Sequence, residues 1–388
     1  MQIASPGRRN NSAVRSANGV LRTHRRVESA IVSVVAHSFT IPTDALESDG
    51  TYAWDSTTLV TVQVSAAGQT GFGYTYATSA AADMIRSMLA PRLRETDALD
   101  IPSLWLEMRN AIRNNGETGV AMMAVAAVDN ALWDLKAKLL NVPLATLWGR
   151  ARPKVEIYGS GGFTSYSPEQ MQTQLGGWAA DGIRHVKMKV GRHPADDAER
   201  VRFARRVIGR DVSLMVDANG GYSRKQALAM AETFAQDGVI WFEEPVHHQD
   251  HQGLRLIRDR APAGMEISAG EYGYHITDFR RLLEDGAVDV LQADATRCGT
   301  TGFLEVAALC EAYRIPLSSH CAPYLHVPLG CAATQFRHIE YFHDHVRIEQ
   351  RFMDGAAPPR QGCLKPDLSR PGNGLDLKMR DLEPYRIA

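Results

Sequence analysis

Residues 185–217, HVKMKVGRHPADDAERVRFARRVIGRDVSLMVD, contain the pattern that decides the fold. An apolar run at residues 185–190 precedes an amphipathic stretch at 196–208, and a second apolar run follows at 213–217. Short apolar runs that alternate with helical stretches are typical of βα units in a parallel sheet. This stretch therefore predicts one complete unit, strand–helix–strand.

The same alternation extends from residue 153 towards the end of the chain. Eight apolar runs can be counted, at residues 155–158, 185–190, 213–217, 240–244, 266–269, 288–293, 315–319 and 339–342. Eight βα units predict a (β/α)8-type barrel, a TIM-like fold of the α/β class. A doubly wound sheet is the structural alternative, but it needs a Gly-rich phosphate turn after its first strand. The only candidate, YGSGG at 158–162, fits neither G-x-G-x-x-G nor the G-x-S-x-G of serine hydrolases.

The region before the barrel has a different organisation. A β-rich run at residues 31–35 precedes a polar segment at 41–55, which we expect to be a loop, and a strand at 59–64. Helical patterns follow at 82–93 and 118–140. Strands followed by helices predict a separate α+β domain.

The first 27 residues carry six Arg and no acidic residue. This composition is shared by organellar transit peptides and by disordered extensions, and we favour the second interpretation. The predicted organisation is thus a basic extension at 1–27, an α+β domain at 28–150, a barrel at 151–364 and a C-terminal segment at 365–388.

Composition excludes several classes of protein. The 388 residues include 43 Lys and Arg against 44 Asp and Glu, so the global basic field of a general nucleic-acid binder is absent. No apolar run reaches 18 residues, which argues against a membrane span. Five Cys in an odd, unpaired arrangement indicate free thiols in a reducing compartment, and we expect a cytoplasmic protein.

Ionisable residues recur at the predicted carboxyl end of each barrel strand, where barrel enzymes place their catalytic groups. In chain order they are Lys187 and Lys189, Asp217, Glu243 or Glu244, Glu271, Asp294, His320 and Glu340. Scattered surface charge does not repeat in this way. The sequence therefore predicts a site at the carboxyl-terminal mouth of the barrel.

Three of these positions, Asp217, Glu243 and Glu271, bring carboxylates to neighbouring strands. Carboxylates that converge repel one another unless a cation joins them. Oxygen ligands in this number suit Mg²⁺, with water and substrate completing the coordination. Strand alternation lets only one of Glu243 and Glu244 face inward, and the residues alone leave that choice open.

Two further groups at the mouth indicate acid–base chemistry. Lys187 and Lys189 are two residues apart, so they share one face of a strand, and two adjacent ammonium groups lower each other's pKa. An amine with a lowered pKa is a usable general base. Asp294 and His320 end adjacent strands, and an Asp–His pair supports a second acid/base.

Taken together, these residues resemble the enolase superfamily and, within it, the mandelate racemase subgroup. The resemblance covers the chain from about residue 27. The motifs that carry it are AVDNALWDLK at 127–136, KMK at 187–189, VDAN at 216–219, WFEEP at 241–245, AGE at 269–271, QAD at 292–294 and SSH at 318–320. Each motif alone is modest, but the set in this order and spacing is highly specific.

The resemblance implies a fold and a set of roles. It implies that the N-terminal domain caps the barrel, that a loop at about 41–54 folds over the mouth, and that the C-terminal segment packs on the cap. Mg²⁺ is the implied cofactor, with Asp217, Glu243 and Glu271 as its ligands. Lys189 is then the base on one face of the substrate, and His320, supported by Asp294, is the acid/base on the other.

The resemblance also implies substrate contacts. Asn219 would hydrogen-bond a substrate oxygen, and a protonated Glu340 would donate to the substrate carboxylate. Lys187, together with Lys189, would attract the anionic substrate by its charge. The match at Glu340 is looser than the others, because its flanking residues differ from the family's founding member. Trp54 is the candidate contact from the capping loop.

The implied reaction is Mg²⁺-dependent abstraction of the proton α to a carboxylate through an enediolate. The polar capping loop favours a polyhydroxy acid, so we expect dehydration of an aldonate or aldarate to a 2-keto-3-deoxy acid. The alternative on the same scaffold is a racemase or epimerase of a 2-hydroxy or sugar acid. A remoter alternative is a non-catalytic barrel that binds a ligand. We expect a small-molecule carboxylate as partner, no nucleic acid or membrane, and a homo-oligomer.

Overall fold

The computed structural model describes residues 29–387. The predicted basic extension over residues 1–27 lies outside this described part of the chain. Among the described helices, none is both long enough and apolar enough to cross a lipid bilayer.

The N-terminal region forms a three-stranded antiparallel sheet covered by helices. Its strands, paired in chain order, are β1 (Ile31–Ser48), β2 (Ala53–Ala66) and β3 (Gln69–Tyr76). The helices that follow are α1 (Ala80–Met84), a π-helical turn (Ile85–Leu89), α2 (Ala90–Leu93), α3 (Ile101–Ile112), α4 (Gly119–Leu139) and α5 (Leu144–Leu147). Because α4 is enclosed between the sheet and the barrel, it is buried around most of its circumference.

The predicted loop at 41–55 is wrong for most of its length. β1 continues to Ser48 and β2 begins at Ala53, so only residues 49–52 form the turn. The strands pair through Ile41–Thr57 and Pro42–Ser56, and after a register shift again at Glu47–Trp54. This end of the hairpin extends beyond the core of the cap and across the barrel, where polar neighbours replace apolar ones. The alternation that normally identifies a strand is therefore missing.

The barrel consists of eight parallel strands surrounded by eight helices. The strands are β4 (Val155–Gly161), β5 (His185–Lys189), β6 (Ser213–Asp217), β7 (Val239–Glu243), β8 (Glu266–Ala269), β9 (Val290–Ala293), β10 (Leu317–Ser319) and β11 (His338–Phe342). The helices are α6 (Pro168–Ala180), α7 (Pro194–Ile208), α8 (Arg224–Gln236), α9 (His251–Arg260), α10 (Ile276–Glu284), α11 (Ala295–Tyr313), α12 (Pro323–Ala332) and α13 (His343–Phe352). Each of the eight predicted apolar runs coincides with one strand.

Hydrogen bonds follow the sheet from β10 through β9, β8, β7, β6, β5 and β4 to β11. The ring closes beside β10, where the Leu317 amide donates to Gln335 at 3.0 Å and the Arg337 amide donates to Leu317 at 2.8 Å. The prediction of a TIM-like barrel with an α+β cap is therefore confirmed.

Strand alternation divides the barrel into an outer core and a filled interior. On β5, Val186 and Met188 pack outward against the helices. Lys187 and Lys189 point inward, as their spacing predicts, and both are buried. Below them the interior is plugged by an apolar cluster of Tyr158, Met215, Trp241 and Val290. The carboxylates at the strand ends lie above this cluster, at the carboxyl-terminal mouth.

Two of the barrel helices begin at a recognisable sequence signal. Ser167 and Ser223 each cap a helix whose third residue is a glutamine, Gln170 or Gln226, and both pairs form the reciprocal bonds of a capping box. These caps start α6 and α8 at fixed positions, so the strand ends before them are fixed as well.

The last part of the described chain returns to the cap. It contains β12 (Met353–Asp354), β13 (Cys363–Leu364), β14 (Asp376–Leu377), α14 (Met379–Leu382) and a 3₁₀ turn (Glu383–Tyr385). The Leu144 amide donates to Gly372, and the Ile387 amide donates to Ser38 on β1 at 2.9 Å. The segment therefore ties the cap to the barrel.

Candidate active site

Three carboxylates meet at the barrel mouth. Asp217 ends β6, Glu243 ends β7, and Glu271 follows β8; one oxygen from each lies within 4.8 Å of the others. All three side chains are buried. Glu271 Oε2 has no hydrogen-bond partner among the described residues. We call these three residues the carboxylate triad.

The triad fits a divalent cation. Burial, followed by the charge of Asp217, raises the pKa of Glu243 to about 8, so the crowded carboxylates favour keeping a proton that a cation would replace. Acids also outnumber bases at the mouth: the acids are Asp217, Glu243, Glu244, Glu271, Asp294 and Glu340, and the bases are Lys187, Lys189, Arg297 and His320. An all-oxygen donor set with this negative excess matches the preference of Mg²⁺.

The structure shows which of Glu243 and Glu244 faces the other two carboxylates. Glu243 shares the triad, whereas Glu244 lies outside that group of convergent oxygens, at a residue with φ of 35°. Glu244 is nevertheless buried, and burial together with Glu271 raises its pKa well above the ordinary value. Its burial and its proximity to Glu271 therefore favour a neutral Glu244 beside the triad.

Neighbouring carboxylates, and not the repulsion between the two ammonium groups, determine the pKa values of the two lysines. Lys189 Nζ lies 2.5 Å from Asp217, and Lys187 Nζ lies 2.5 Å from Glu243 and 2.8 Å from Glu340. Burial alone would lower both pKa values, but these carboxylates raise them above the ordinary value of lysine. The expectation of a lowered pKa is therefore wrong for this arrangement, because the acids outweigh the lysine pair.

His320 and Asp294 form the expected pair. His320 Nδ1 lies 2.9 Å from Asp294 Oδ2, while Nε2 faces the triad at 3.4 Å from Glu271 Oε2. Burial favours the neutral ring, but Glu271 and Asp294 outweigh it and raise the pKa of His320. Asp294 also caps α11 by accepting from the Thr296 amide, which fixes the carboxylate that orients the imidazole. Nε2 is thus the ring nitrogen available to a ligand.

Glu340 is not the protonated acid that we expected. Its Oε1 accepts from Ser160 at 2.7 Å and pairs with Lys187, and its Oε2 accepts from the Cys321 amide at 2.7 Å. Burial opposes ionisation, but Lys187 and His320 hold the pKa of Glu340 well below its ordinary value. Glu340 is therefore an ionised carboxylate that accepts hydrogen bonds.

Asn219 and the β1–β2 hairpin border the mouth. The backbone N–H of Asn219 donates to Asp217 at 2.9 Å. The buried side-chain Oδ1 of Asn219 has no hydrogen-bond partner within the described chain. Trp54 donates from Nε1 to the buried Glu47 at 2.9 Å, and its ring packs edge-on against Phe163. Phe163 in turn contacts Cys321, the neighbour of His320. Trp54 thus lies one aromatic ring away from the acid/base pair.

The tip of this hairpin is seated directly on the barrel. A side chain at Gly50 would lie 2.1 Å from the Ala218 carbonyl and 2.8 Å from that of Val190, so only glycine fits there. Ser48 and Thr164 exchange hydrogen bonds at 2.6 and 2.8 Å, which fixes the hairpin on the loop after β4. The structure therefore places the cap over the carboxyl ends of β5 and β6.

Sequence reasoning missed three residues of the site. Arg297 donates to the Glu271 carbonyl at 2.7 Å and stacks on Tyr272, while Ser160 and Cys321 hold Glu340. Arg297 lies one helical turn after Asp294, a signal that was available. Ser160 is the next-to-last residue of β4 and lies inside a glycine-rich run that matches neither a phosphate turn nor a serine-hydrolase motif, so no sequence signal identifies it.

Two family models cover most of the chain. Residues 46–149 match the mandelate racemase/muconate lactonizing enzyme N-terminal domain, and residues 170–382 match the enolase C-terminal domain-like model. Among curated relatives, the 3,6-anhydro-alpha-L-galactonate cycloisomerase of Streptomyces coelicolor is 33% identical over 84% of this chain and 90% of its own length.

Solved structures agree with this assignment. A mandelate racemase/muconate lactonizing enzyme-like protein from Rubrobacter xylanophilus is 50% identical with a TM-score of 0.90, over 92% of this chain and all of its own. An L-talarate dehydratase from Polaromonas, solved with Mg and L-glucarate, is 29% identical with a TM-score of 0.84, over 92% of this chain and 98% of its own. The chain therefore belongs to the mandelate racemase/muconate lactonizing enzyme family of the enolase superfamily.

Proposed function

We propose that this enzyme dehydrates an acid sugar, an aldonate or aldarate, to a 2-keto-3-deoxy acid. The observation that carries the proposal is the arrangement of Lys189 and His320 around the triad. In the ring of strands, β6, β7 and β8 lie between β5, which holds Lys189, and β10, after which His320 follows. A carboxylic acid held at the triad therefore has one basic group on each side.

Asp217, Glu243 and Glu271 would hold Mg²⁺, which supplies, when bound, positive charge that stabilises the negative charge developing on the substrate carboxylate. The other groups at the mouth position that carboxylate. Lys187 lies between Glu243 and Glu340 and pairs with both, so it offsets part of their charge and holds the two side chains in place. Arg297 has the same effect behind Glu271.

Proton movements are assigned to Lys189 and His320. Lys189 takes the α-proton at Nζ after it has lost its own proton, a loss that would become easier when Asp217 binds a cation instead of pairing with the lysine. His320, whose protonated form is favoured by its carboxylate neighbours, donates from Nε2 to the β-hydroxyl as that group leaves as water. Asp294 holds the imidazole by Nδ1 throughout, so the proton always leaves from Nε2.

A polyhydroxy substrate suits the border of the mouth. Asn219 Oδ1 is a buried acceptor without a partner in the described chain, and such an atom is satisfied by a substrate hydroxyl. The hairpin closes this side with Trp54 and the polar residues of its tip. Similarity to enzymes named for 3,6-anhydrogalactonate and talarate supports the same class of substrate.

The test is a screen of aldonates and aldarates for a 2-keto product with the purified Mg²⁺-loaded protein. We expect turnover of at least one acid sugar, abolished by EDTA and restored by Mg²⁺. Turnover unaffected by EDTA would remove the metal assignment, and the absence of any 2-keto product across the library would contradict the proposal.

A second experiment separates dehydration from epimerisation, which the same two groups permit. Each acid is incubated in D₂O and the products are followed by NMR. Dehydration predicts a 2-keto-3-deoxy acid. Inversion with deuterium at C2 and no keto acid would instead support the racemase or epimerase alternative. The homo-oligomeric state stays a prediction, to be checked by size exclusion with light scattering.

A further inference from the structure

A second set of metal-ligand atoms lies beside the triad. His320 Nε2, Cys321 Sγ and a Glu340 carboxylate oxygen all lie within 4.8 Å of one another. Sγ is 3.2 Å from Nε2, and Glu340 Oε2 is 3.9 Å from the same nitrogen. The three residues are 9%, 4% and 1% exposed. We call them the mixed-ligand cluster.

These separations match the edges of a zinc tetrahedron. Zinc binds sulfur at about 2.3 Å, and imidazole nitrogen and carboxylate oxygen at about 2.0–2.2 Å. Ligand atoms of a tetrahedral site therefore lie roughly 3.4–3.6 Å apart. The observed 3.2 and 3.9 Å differ from these values by a few tenths of an ångström, which side-chain rotation accommodates.

The surroundings orient each ligand as metal sites require. Asp294 occupies His320 Nδ1, which leaves Nε2 for a metal in the carboxylate–histidine–metal arrangement. Ser160 and Lys187 hold Glu340 by Oε1, which leaves Oε2 on the side of the cluster. Cys321 has a φ of 51°, and its amide is bound to Glu340, so its position is set by the backbone.

We propose that His320, Cys321 and Glu340 form a second metal site, selective for Zn²⁺ or another thiophilic divalent cation. The donor set distinguishes it from the triad: sulfur and nitrogen favour softer cations, whereas three carboxylates favour Mg²⁺. Binding forms metal–sulfur, metal–nitrogen and metal–oxygen bonds, and it releases to solvent both the thiol proton of Cys321 and the Nε2 proton of His320. Solvent supplies the fourth ligand, since three protein ligands leave one tetrahedral position open.

The consequence of binding is inhibition. A cation on Nε2 occupies the atom that donates the proton in the dehydration, and excess Mg²⁺ does not relieve this, because Mg²⁺ binds elsewhere. This step rests on the proposed function. Binding itself does not, and it is measured without any substrate.

Cobalt is the probe for the site, because Co²⁺ bound to a thiolate shows charge-transfer absorption that an all-oxygen site lacks. Co²⁺ is titrated into the full-length protein saturated with Mg²⁺. We expect one equivalent to produce the thiolate band, and Zn²⁺ to remove it. Displacement of the band by further Mg²⁺, or no band at all, would overturn the proposal.

Two substitutions identify the sulfur. Cys321→Ala and Cys321→Ser both remove the thiolate, so each should abolish the band and weaken Zn²⁺ binding at least tenfold, as loss even of supporting residues does. The matched control is Cys310→Ala, because Cys310 is also buried, on α11, and burial alone shifts its pKa. An unchanged band in both Cys321 variants, or its loss in Cys310→Ala, would refute the assignment.

Discussion

At the residue scale, the barrel mouth is governed by charge compensation between groups that water does not reach. Lys189 and Asp217, like Lys187 and Glu243, are buried pairs at 2.5 Å. Removing one partner of such a pair leaves an uncompensated charge, which costs several kcal/mol. The site therefore depends on its full set of charges rather than on single residues.

Replacing Lys189 by alanine tests the assignment of the base. We expect turnover of the identified acid sugar to fall by about 10²–10⁴-fold, the usual contribution of a general base. Mg²⁺ affinity, measured by calorimetry, should be retained or increased, because Asp217 loses the cation that now neutralises it. The control is Lys225→Ala on the exposed face of α8. Full turnover in Lys189→Ala would exclude it as the base.

The sequence predicted the residues at the strand ends but not their protonation. Asp217, Lys189 and His320 follow from strand periodicity and from the family resemblance, and the structure brings them to one mouth. The lowered lysine pKa and the protonated Glu340 were wrong, because both depend on distances of 2.5 to 2.8 Å between groups on different strands. Such distances are not visible in a linear pattern.

At the element scale, the hairpin of β1 and β2 shows how tertiary contact overrides local pattern. Its polar composition predicts a loop, yet the strands pair as far as Ser48 and Ala53. Glu47 is buried, and burial with the nearby charge of Asp344 raises its pKa to about 8. A buried acid in an extended strand has no sequence signature without its partners.

The glycine at the tip of this hairpin is a steric requirement. In Gly50→Ala, the new Cβ overlaps the Ala218 carbonyl, so the hairpin must lift from the barrel. We expect KM to rise by roughly tenfold and kcat to fall, since closure positions the substrate. The melting temperature should change little, because the cores of cap and barrel are untouched.

Steady-state kinetics on the identified acid sugar check this prediction. The matched control is Gly177→Ala on α6, where an added Cβ meets no atom within 4 Å. If Gly50→Ala kept the parent KM, the hairpin would have no part in substrate binding.

A second element joins the cap to the catalytic residues. Asn130 on α4 donates to the Ala295 carbonyl and accepts from Thr300, at 2.9 Å each. These contacts bracket the kink of α11 at Gly299, and Asp294 caps the short turn before that kink. The cap thus fixes the turn that carries the carboxylate partner of His320.

Asn130→Ala should therefore impair the step that needs His320 more than the step that needs Lys189. It leaves two buried backbone groups unsatisfied, at roughly 1–3 kcal/mol each. We expect dehydration, which needs His320, to fall further than exchange of the α-proton in D₂O, which needs Lys189. Trp133→Phe, which removes another bond between the same two helices, is the control. An equal fall in both rates would indicate a purely structural role.

At the scale of the whole molecule, the barrel was predictable and the seating of the cap was not. Each βα unit has a local period, so eight strands could be counted from residues 153–342. The relation of cap to barrel rests on contacts between residues far apart in the chain, such as Tyr76 with Glu349 and Ser48 with Thr164. The hydrophobic periodicity of the cap or of the barrel alone does not predict those contacts.

Glu349 on α13 lies where the cap meets the barrel, and its titration makes the stability of this contact depend on pH. It accepts from Tyr76 of the cap and from the Tyr324 amide of the barrel, both at 3.0 Å. Burial raises its pKa from 4.5 to about 8 despite these donors. Between those values the folded chain holds a proton that the unfolded chain releases. The contribution of Glu349 to the free energy of unfolding is therefore fully present below pH about 4.5, and it is lost as the pH rises through about 8.

Glu349→Gln mimics the protonated side chain at every pH, so it should remove this loss. We expect the melting temperature of the variant to be close to that of the parent near pH 5, to exceed it increasingly up to about pH 8, and to keep a constant excess above that pH. The difference between the two curves isolates Glu349, since every other titrating group is common to both. Glu232→Gln on the exposed face of α8 serves as the control. A difference that stayed constant from pH 5 to 9 would mean that Glu349 is already ionised at the junction.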